Sequence, residues 1–353
     1  MSTRILVQSE LSLVRNFGDK KFQHLEFHIV DLEEDEVHLN ISRPLFACSG
    51  LHTLLHLGEL VYMFGGCKTS KVITDIDSCV SENPTDTFYT GSALLRLTSD
   101  DSGEWCKNPK PIFGPLFANA TCLGGKIYDM GFWHLCPQLF NPATDSWEDI
   151  TLPSELQGCT VSLFVLPDPS NDRIILHLEK GSLSSPSICA YYPNSDEWKR
   201  IVSDFPGCAW DPVSAVADDV VYFNYDKCHT LVAAYDLKNL KWLDVHLSHN
   251  VVNGCYIIRE NYKNLMYLGD NSFCLAVPSN QSSSIRCAER CLVLFVKFRV
   301  ERRGSVINIV PLLARSFIFP RTSYVCNMVA LSRSSVSPFW TRKQPLESLR
   351  EDL

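Results

Sequence analysis

The sequence predicts an all-β fold, a β-propeller of four-stranded blades, and three observations carry that expectation. Four tryptophans, Trp105, Trp147, Trp198 and Trp242, recur at intervals of 42, 51 and 44 residues, a period that belongs to repeated blades. Short runs rich in Val, Ile, Leu, Tyr and Phe recur between them. Residues that reverse a chain tightly separate these segments.

The tryptophans anchor hairpins. Phe140, Tyr191 and Tyr235 stand seven positions before Trp147, Trp198 and Trp242, in FNPATDSW, YYPNSDEW and YDLKNLKW. Each segment reads as an apolar strand, a polar turn and a second strand bearing the indole. The turns contain Asn141-Pro142, Pro193-Asn194-Ser195 and Lys238-Asn239. LLRLTSDDSGEW, before Trp105, follows the same plan with its aromatic replaced. The β-rich runs are LVYMF at 60–64, KIYDM at 126–130, RIILHL at 173–178, VVYF at 220–223 and LMYL at 265–268. Bounded by Gly, Asp or Asn, they are too short for helices and suit buried strands. Gly124-Gly125 and Asp218-Asp219, ahead of two of them, mark hairpin turns.

A thin sheet that is apolar on both faces cannot cover itself, so neighbouring sheets must do so, and a ring satisfies every member while leaving few free edges. An indole on the outermost strand fills the wedge where adjacent sheets splay. Hairpins at 26–41, 93–107, 138–151, 188–202, 231–246 and 291–312 give six blades, with seven also compatible. The last hairpin is expected to turn at Glu301–Gly304. YVCNMVAL at 324–331 reads as a further strand able to pair with the N-terminal blade and close the ring. Segments 67–92 and 269–290, rich in Ser, Asn and Asp, are expected to be surface loops. One propeller over 1–340 and a polar tail at 341–353 complete the organisation.

Composition sets bounds on function. The 353 residues are 45% hydrophobic and 20% charged, with net charge −8, ample for a core and unlike a disordered chain. Residues 286–353 carry 12 Lys/Arg against 5 Asp/Glu, among them Arg299, Arg302, Arg303, Arg315 and Arg321. No basic run of five appears and aromatic interleaving is thin, so nucleic acid is not expected as a partner. No stretch reaches the roughly 18 apolar residues of a membrane span, and the first residues have no secretory pattern. The 15 cysteines are odd in number and irregularly spaced. They read as reduced thiols packed as small apolar groups in a cytoplasmic or nuclear protein.

LGELVYMFGG at 57–66, ending in Gly65-Gly66, and LGGKIYDMGFW followed by LFNPATDSWEDITLP over 123–153 resemble a kelch repeat. The chain is similar over about 45–312 to kelch and galactose-oxidase-like propellers, and among these to the propeller part of plant F-box/kelch proteins. That resemblance implies a monomeric adaptor or substrate-recognition module that binds another protein, with the ubiquitin pathway as its setting. The alternative it implies is a metal-dependent kelch-fold enzyme, an oxidase or a specifier-like protein. The diglycine follows a strand once only, and the first 40 residues contain no clear F-box.

The constellations that would carry chemistry are missing from the sequence. The ten histidines are scattered. His24 and His28, like His52 and His56, are four apart, which on a strand separates them by roughly 13 Å. No Glu, Asp, His series at four-residue steps occurs. TSDDSGEW resembles a sialidase Asp-box but is one residue short, and Asp100–Gly103 reads as a turn. Cys287 and Cys291 lack further metal ligands nearby. There is no nucleophile elbow, phosphate loop or zinc-protease motif. No catalytic residue, metal or cofactor is therefore expected. What remains is surface: Phe132, Trp133 and His134, then Trp210, then Tyr225 and His229, aromatic and polar residues on loops of the kind that anchor interfaces.

Overall fold

The computed structural model describes residues 3–12, 23–34, 36–38, 49–58, 60–67, 90–97, 103–107, 119–131, 137–180, 186–205, 214–223, 232–247, 264–279, 290–320 and 324–331. Within these the chain is all-β and propeller-like, with two 3₁₀ turns at Ser154–Leu156 and Pro169–Asn171 and no α-helix.

Strands β1 (Arg4–Ser12), β2 (Gln23–Asp31), β3 (Glu36–His38) and β24 (Tyr324–Leu331) form one sheet in the order β24-β1-β2-β3. A second sheet holds β4 (Ser49–Leu57), β5 (Leu60–Cys67), β6 (Thr90–Leu97) and β7 (Gly103–Lys107). A third holds β8 (Ala120–Leu123), β9 (Lys126–Asp129), β10 (Gln138–Asn141) and β11 (Ser146–Asp149). A fourth holds β12 (Thr160–Asp168), β13 (Arg173–Glu179), β14 (Ser187–Tyr192) and β15 (Glu197–Val202). The remaining eight-stranded sheet has two antiparallel halves. These are β16 (Ser214–Ala217), β17 (Val220–Phe223), β18 (Ala233–Asp236) and β19 (Lys241–Leu247), then β20 (Asn264–Gly269), β21 (Ser272–Ser279), β22 (Arg290–Arg303) and β23 (Val306–Pro320). The halves join where β19 and β23 run parallel, Asp244 opposite Val306 through Leu247 opposite Ile309.

The tryptophan motif is a cross-strand pair. Phe140 lies opposite Trp147, Tyr191 opposite Trp198 and Tyr235 opposite Trp242. Their ring centroids are 4.9, 4.8 and 5.2 Å apart, within the range of favourable aromatic contact. In the register of β6 with β7, Leu95 stands opposite Trp105, the position that an aromatic holds in the other three hairpins. Each hairpin turns the same way. Asn141 Oδ1 accepts from Ala143 N at 3.0 Å, and Asp236 Oδ1 accepts from Lys238 N and Asn239 N at 2.9 and 2.8 Å. The residue two before the indole then adopts positive φ: Asp145 at 50°, Asp196 at 51° and Leu240 at 52°. Asp and Asn tolerate that region, whereas Leu is strained there.

The inner hairpins use two-residue turns with both φ values positive at Gly124-Gly125, Asp218-Asp219 and Asp270-Asn271, matching the right-handed twist of the strands. Three expectations are corrected. Segment 269–290 is not simply a loop, because β21 occupies Ser272–Ser279; the Ser- and Asn-rich flanks hid its apolar run. LMYL lies in β20, the strand before the turn, unlike its counterparts in β5, β9, β13 and β17. The β22–β23 turn is Gly304-Ser305, since pairing continues to Arg303 opposite Val306. Gly65 and Gly66 lie within β5, where its register with β6 breaks between Phe64 and Cys67. Residues 341–353 lie outside the described residues.

The first-named strand of each four-stranded group faces its counterparts. β4 lies beside β24 and β8, β8 beside β12, β12 beside β16, β16 beside β20, and β20 beside β24, completing a circuit. Each hydrophobic cluster fills one seam of that circuit. Successive residues alternate between seams because strand side chains alternate faces. Ile5 and Val7 pack with Phe295 and Phe317, while Leu6 packs with Leu54 and Met63. Tyr222 joins Phe273, while Val221 joins Ile175. β24 pairs antiparallel with β1, Arg4 opposite Leu331, so the two ends of the described chain complete one sheet. Trp147 and Trp198 pack into the seam with the preceding sheet, and the Trp198 indole donates to Thr151 O across it at 3.0 Å. The side chain of Trp105 is outside the description.

Leu240 is 52% exposed, so replacing it removes backbone strain and little packing. Leu240→Asn is expected to stabilise the protein by about 0.5–1 kcal/mol in chemical denaturation. An unchanged or lower midpoint would contradict the strain assignment.

Candidate functional site

Antiparallel meanders place the first-to-second and third-to-fourth turns of each group at one end of the ring. These turns span two to five residues. At the opposite end the connections span seven to 22 residues, apart from the three between β23 and β24. Long connections on a rigid frame are where binding groups concentrate.

All six residues singled out as partner contacts fall in these long connections. Phe132, Trp133 and His134 lie between β9 and β10, Trp210 between β15 and β16, and Tyr225 and His229 between β17 and β18. They are outside the described residues, but the backbone flanking them is described. Ser214 pairs with Phe223 and Phe223 with Ala233, so the connections holding Trp210, Tyr225 and His229 spring from one row of adjacent residues. Ala120 pairs with Asp129 and Asp129 with Gln138, which gives the connection holding Trp133 an equivalent origin.

Those origins are tied down from beneath. Phe205, buried near the start of the Trp210 connection, has its ring centroid 5.7 Å from His177, 5.7 Å from Phe223, 5.1 Å from Tyr235 and 5.9 Å from Trp242. Its N–H donates to Pro186 O at 2.8 Å. Phe164 adds rings at 5.5 Å to His177 and 5.7 Å to Phe223. This aromatic floor spans the seam between the β12–β15 and β16–β19 groups. In the neighbouring group, Asp129 Oδ1 accepts from Gly131 N at 3.0 Å, and Asn119 Nδ2 donates to Gly131 O at 3.2 Å. Gly131 has φ +77°, so the chain turns there into the Trp133 connection. Burial raises the Asp129 carboxyl pKa, partly offset by the Gly131 N–H.

The short-turn end carries cross-seam ion pairs instead. Arg173 bridges buried Asp168 at 2.7 Å and Asp219 of the next group. Buried Asp236 binds Arg302 across the following seam. Lys297 reaches Glu33 and Thr3 Oγ1, both at 2.7 Å, across the next. Burial acts to raise the Asp236 pKa, but Asn239 and Arg302 outweigh it and hold the carboxyl at about 2. These groups are engaged in holding sheets together. Among the described residues no group of three His, Cys, Asp or Glu is placed to hold a metal, and a shallow groove of about 270 Å³ beside Trp198 is lined by Glu155, Leu156, Lys199 and Arg200. Cys122, Cys159, Cys189 and Cys274 are free thiols, with pKa values raised mainly by burial.

Sequence reasoning located the loops but not Phe205 and His177, which support two of them. Neither belongs to the repeated motif, and their contacts depend on a seam between groups that no local pattern reveals.

No family model and no curated protein matches the chain. Among solved structures it is similar to TolB from Acinetobacter baumannii, at 11% identity and TM-score 0.45, over 89% of this chain and 65% of that one. It is also similar to a puromycin hydrolase mutant complexed with PGG, at 10% identity and TM-score 0.41, over 86% and 42%. An oligogalacturonate lyase in complex with manganese matches at 13% identity and TM-score 0.41, over 62% and 60%. The chain thus spans less than two thirds of the length of each of these three, and none of the likenesses bears on its activity. No described helix is long and apolar enough to cross a membrane.

Burial of His28 and His177 lowers both pKa values from 6.5 to about 4. Above pH 6.5 the imidazoles are neutral in the folded and unfolded chain. Between pH 6.5 and 4 the unfolded chain takes up protons that the folded one refuses, so stability falls through that window by about 3 kcal/mol per histidine. His177→Leu is expected to flatten the fall in a pH series of denaturation midpoints; an unaltered profile would remove His177 as a cause.

Proposed function

We propose that this chain is a protein-binding β-propeller of six four-stranded blades, of degenerate kelch type, that presents its partner surface at the end bearing the long connections. It acts as an adaptor or recognition module and not as an enzyme. One observation carries this reading: short, ion-paired turns occupy one end, while the long connections at the other, which hold Trp133, Trp210, Tyr225 and His229, spring from fixed strand ends, those of Trp210, Tyr225 and His229 beside the Phe205–Phe223 aromatic floor and that of Trp133 at the Asp129 and Asn119 hydrogen bonds to Gly131. Large aromatic side chains on rigidly rooted loops provide contact area at low entropic cost. The pairing of Phe140, Tyr191 and Tyr235 with their tryptophans supports the kelch-type repeat.

Affinity purification with mass spectrometry tests the proposal. A stable protein partner should be recovered by the wild type and reduced at least roughly tenfold by Trp133→Ala or Trp210→Ala, the effect of a lost interface anchor. Asn194→Ala, on the short-turn end, should retain it. Stoichiometric iron or copper in the purified protein, or a partner indifferent to both tryptophans, would refute the proposal.

A further inference from the structure

The three tryptophan hairpins share one turn geometry, so their sequences can be compared position by position. The turns occupy 142–145, 193–196 and 237–240. In each, the residue two before the indole has positive φ. Asp145 and Asp196 fill that position in the first two turns, and Asp tolerates it. Leu240 fills it in the third and is 52% exposed, so it is strained and gains little burial in return. The flanking charges differ too. Lys238 and Lys241 stand where the first turn has Ala143 and Ser146 and the second has Asn194 and Glu197. Both lysines are exposed, and neither pairs with a carboxylate among the described residues. The adjacent carboxylate is already engaged: Asp236 accepts from Lys238 N, Asn239 N and Asn239 Nδ2 and binds Arg302. Trp242, two residues beyond Leu240, is 38% exposed.

Neither the exposed leucine nor the lysines serve the hairpin, since the other two turn without them. Strain held at an exposed apolar residue is a mark of a contact surface. The turn is fixed from beneath: Leu237 is buried, and its N–H donates to Asp219 O at 2.8 Å. A fixed apolar side chain between two unpaired cations fits an aliphatic side chain with carboxylates on either side. We propose that the turn at 237–241, together with Trp242, docks a segment of a partner protein in which an aliphatic residue is flanked by acidic ones. A second copy on a two-fold axis would set Lys238 and Lys241 against their own counterparts. An anionic membrane would also meet Asp145, Asp196, Asp218 and Asp270, which lie on turns at the same end of the ring, and would be repelled by them. Charge therefore favours the acidic segment over both. This surface lies opposite the long connections and is independent of the function proposed for them.

Fluorescence anisotropy on the full chain tests it, with a labelled peptide carrying leucine between pairs of glutamates and a control carrying lysines in their place. The acidic peptide should bind roughly tenfold or more tightly than the control, and added salt should weaken it. Leu240→Asn, which relieves the strained turn, should weaken binding at least roughly fivefold. Lys238→Glu combined with Lys241→Glu should do the same. Asn194→Ala, at the matching position of the neighbouring hairpin, should bind as the wild type does. With a photoreactive leucine in the peptide, cross-links should map to 237–242. Absence of binding, equal affinity for both peptides, indifference to the Leu240 and lysine variants, or cross-links elsewhere would each overturn the proposal. So would a wild-type dimer dispersed by Leu240→Asn, which would assign the turn to a second copy. Sedimentation with phosphatidylserine vesicles that Leu240→Asn abolishes would overturn it in favour of a membrane.

Discussion

A sheet that is apolar on both faces and four strands wide has no stable existence alone, and this constraint governs the rest of the molecule. Val221 and Tyr222 show it in two adjacent residues: one is buried against the preceding group, the other against the following one. Every group needs two neighbours, and a linear row would leave its terminal faces wet. Pairing β24 with β1 removes those terminal faces by making the sheet that ends the row also begin it. The ion pairs Arg173–Asp219, Arg302–Asp236 and Lys297–Glu33 then fix three successive seams at one end. As partly buried charges they contribute geometry more than net stability.

That division of labour explains why the two ends of the ring differ. Two-residue turns with positive φ at both positions leave no room for elaboration, and the end that uses them is occupied by its own polar contacts. The opposite end is free to vary because its connections are long and its strand ends are held by Phe205, Phe223, Asp129 and Asn119. A functional surface needs both qualities, variable loops and fixed roots.

The parts of this architecture that depend on neighbours in sequence were legible in advance. A turn and its two strands are contiguous, so FNPATDSW, YYPNSDEW and YDLKNLKW announce their hairpins, and the aromatic seven residues before each indole proves to be its cross-strand partner. The strand at 324–331 was also recognisable. What escaped depends on seams. Phe205 becomes a hub only because two groups meet around it, and Arg302 finds Asp236 across 66 residues. The parallel pairing of β19 with β23 follows from a neighbouring group's position, and β21 was masked by polar residues on both sides. For the candidate surface, the sequence located the loops and their aromatic residues, and the structure supplied their shared end and their anchoring.

Closure by β24 is the claim on which the ring rests, and truncation tests it most directly. A chain ending at residue 323 should be compared in thermal unfolding with one ending at residue 331. The account predicts a single cooperative transition for the longer chain. It predicts loss of that transition, with aggregation, for the shorter one, because the seams on both sides of β1 lose their inner wall. Equal cooperativity and equal midpoints in the two chains would contradict it.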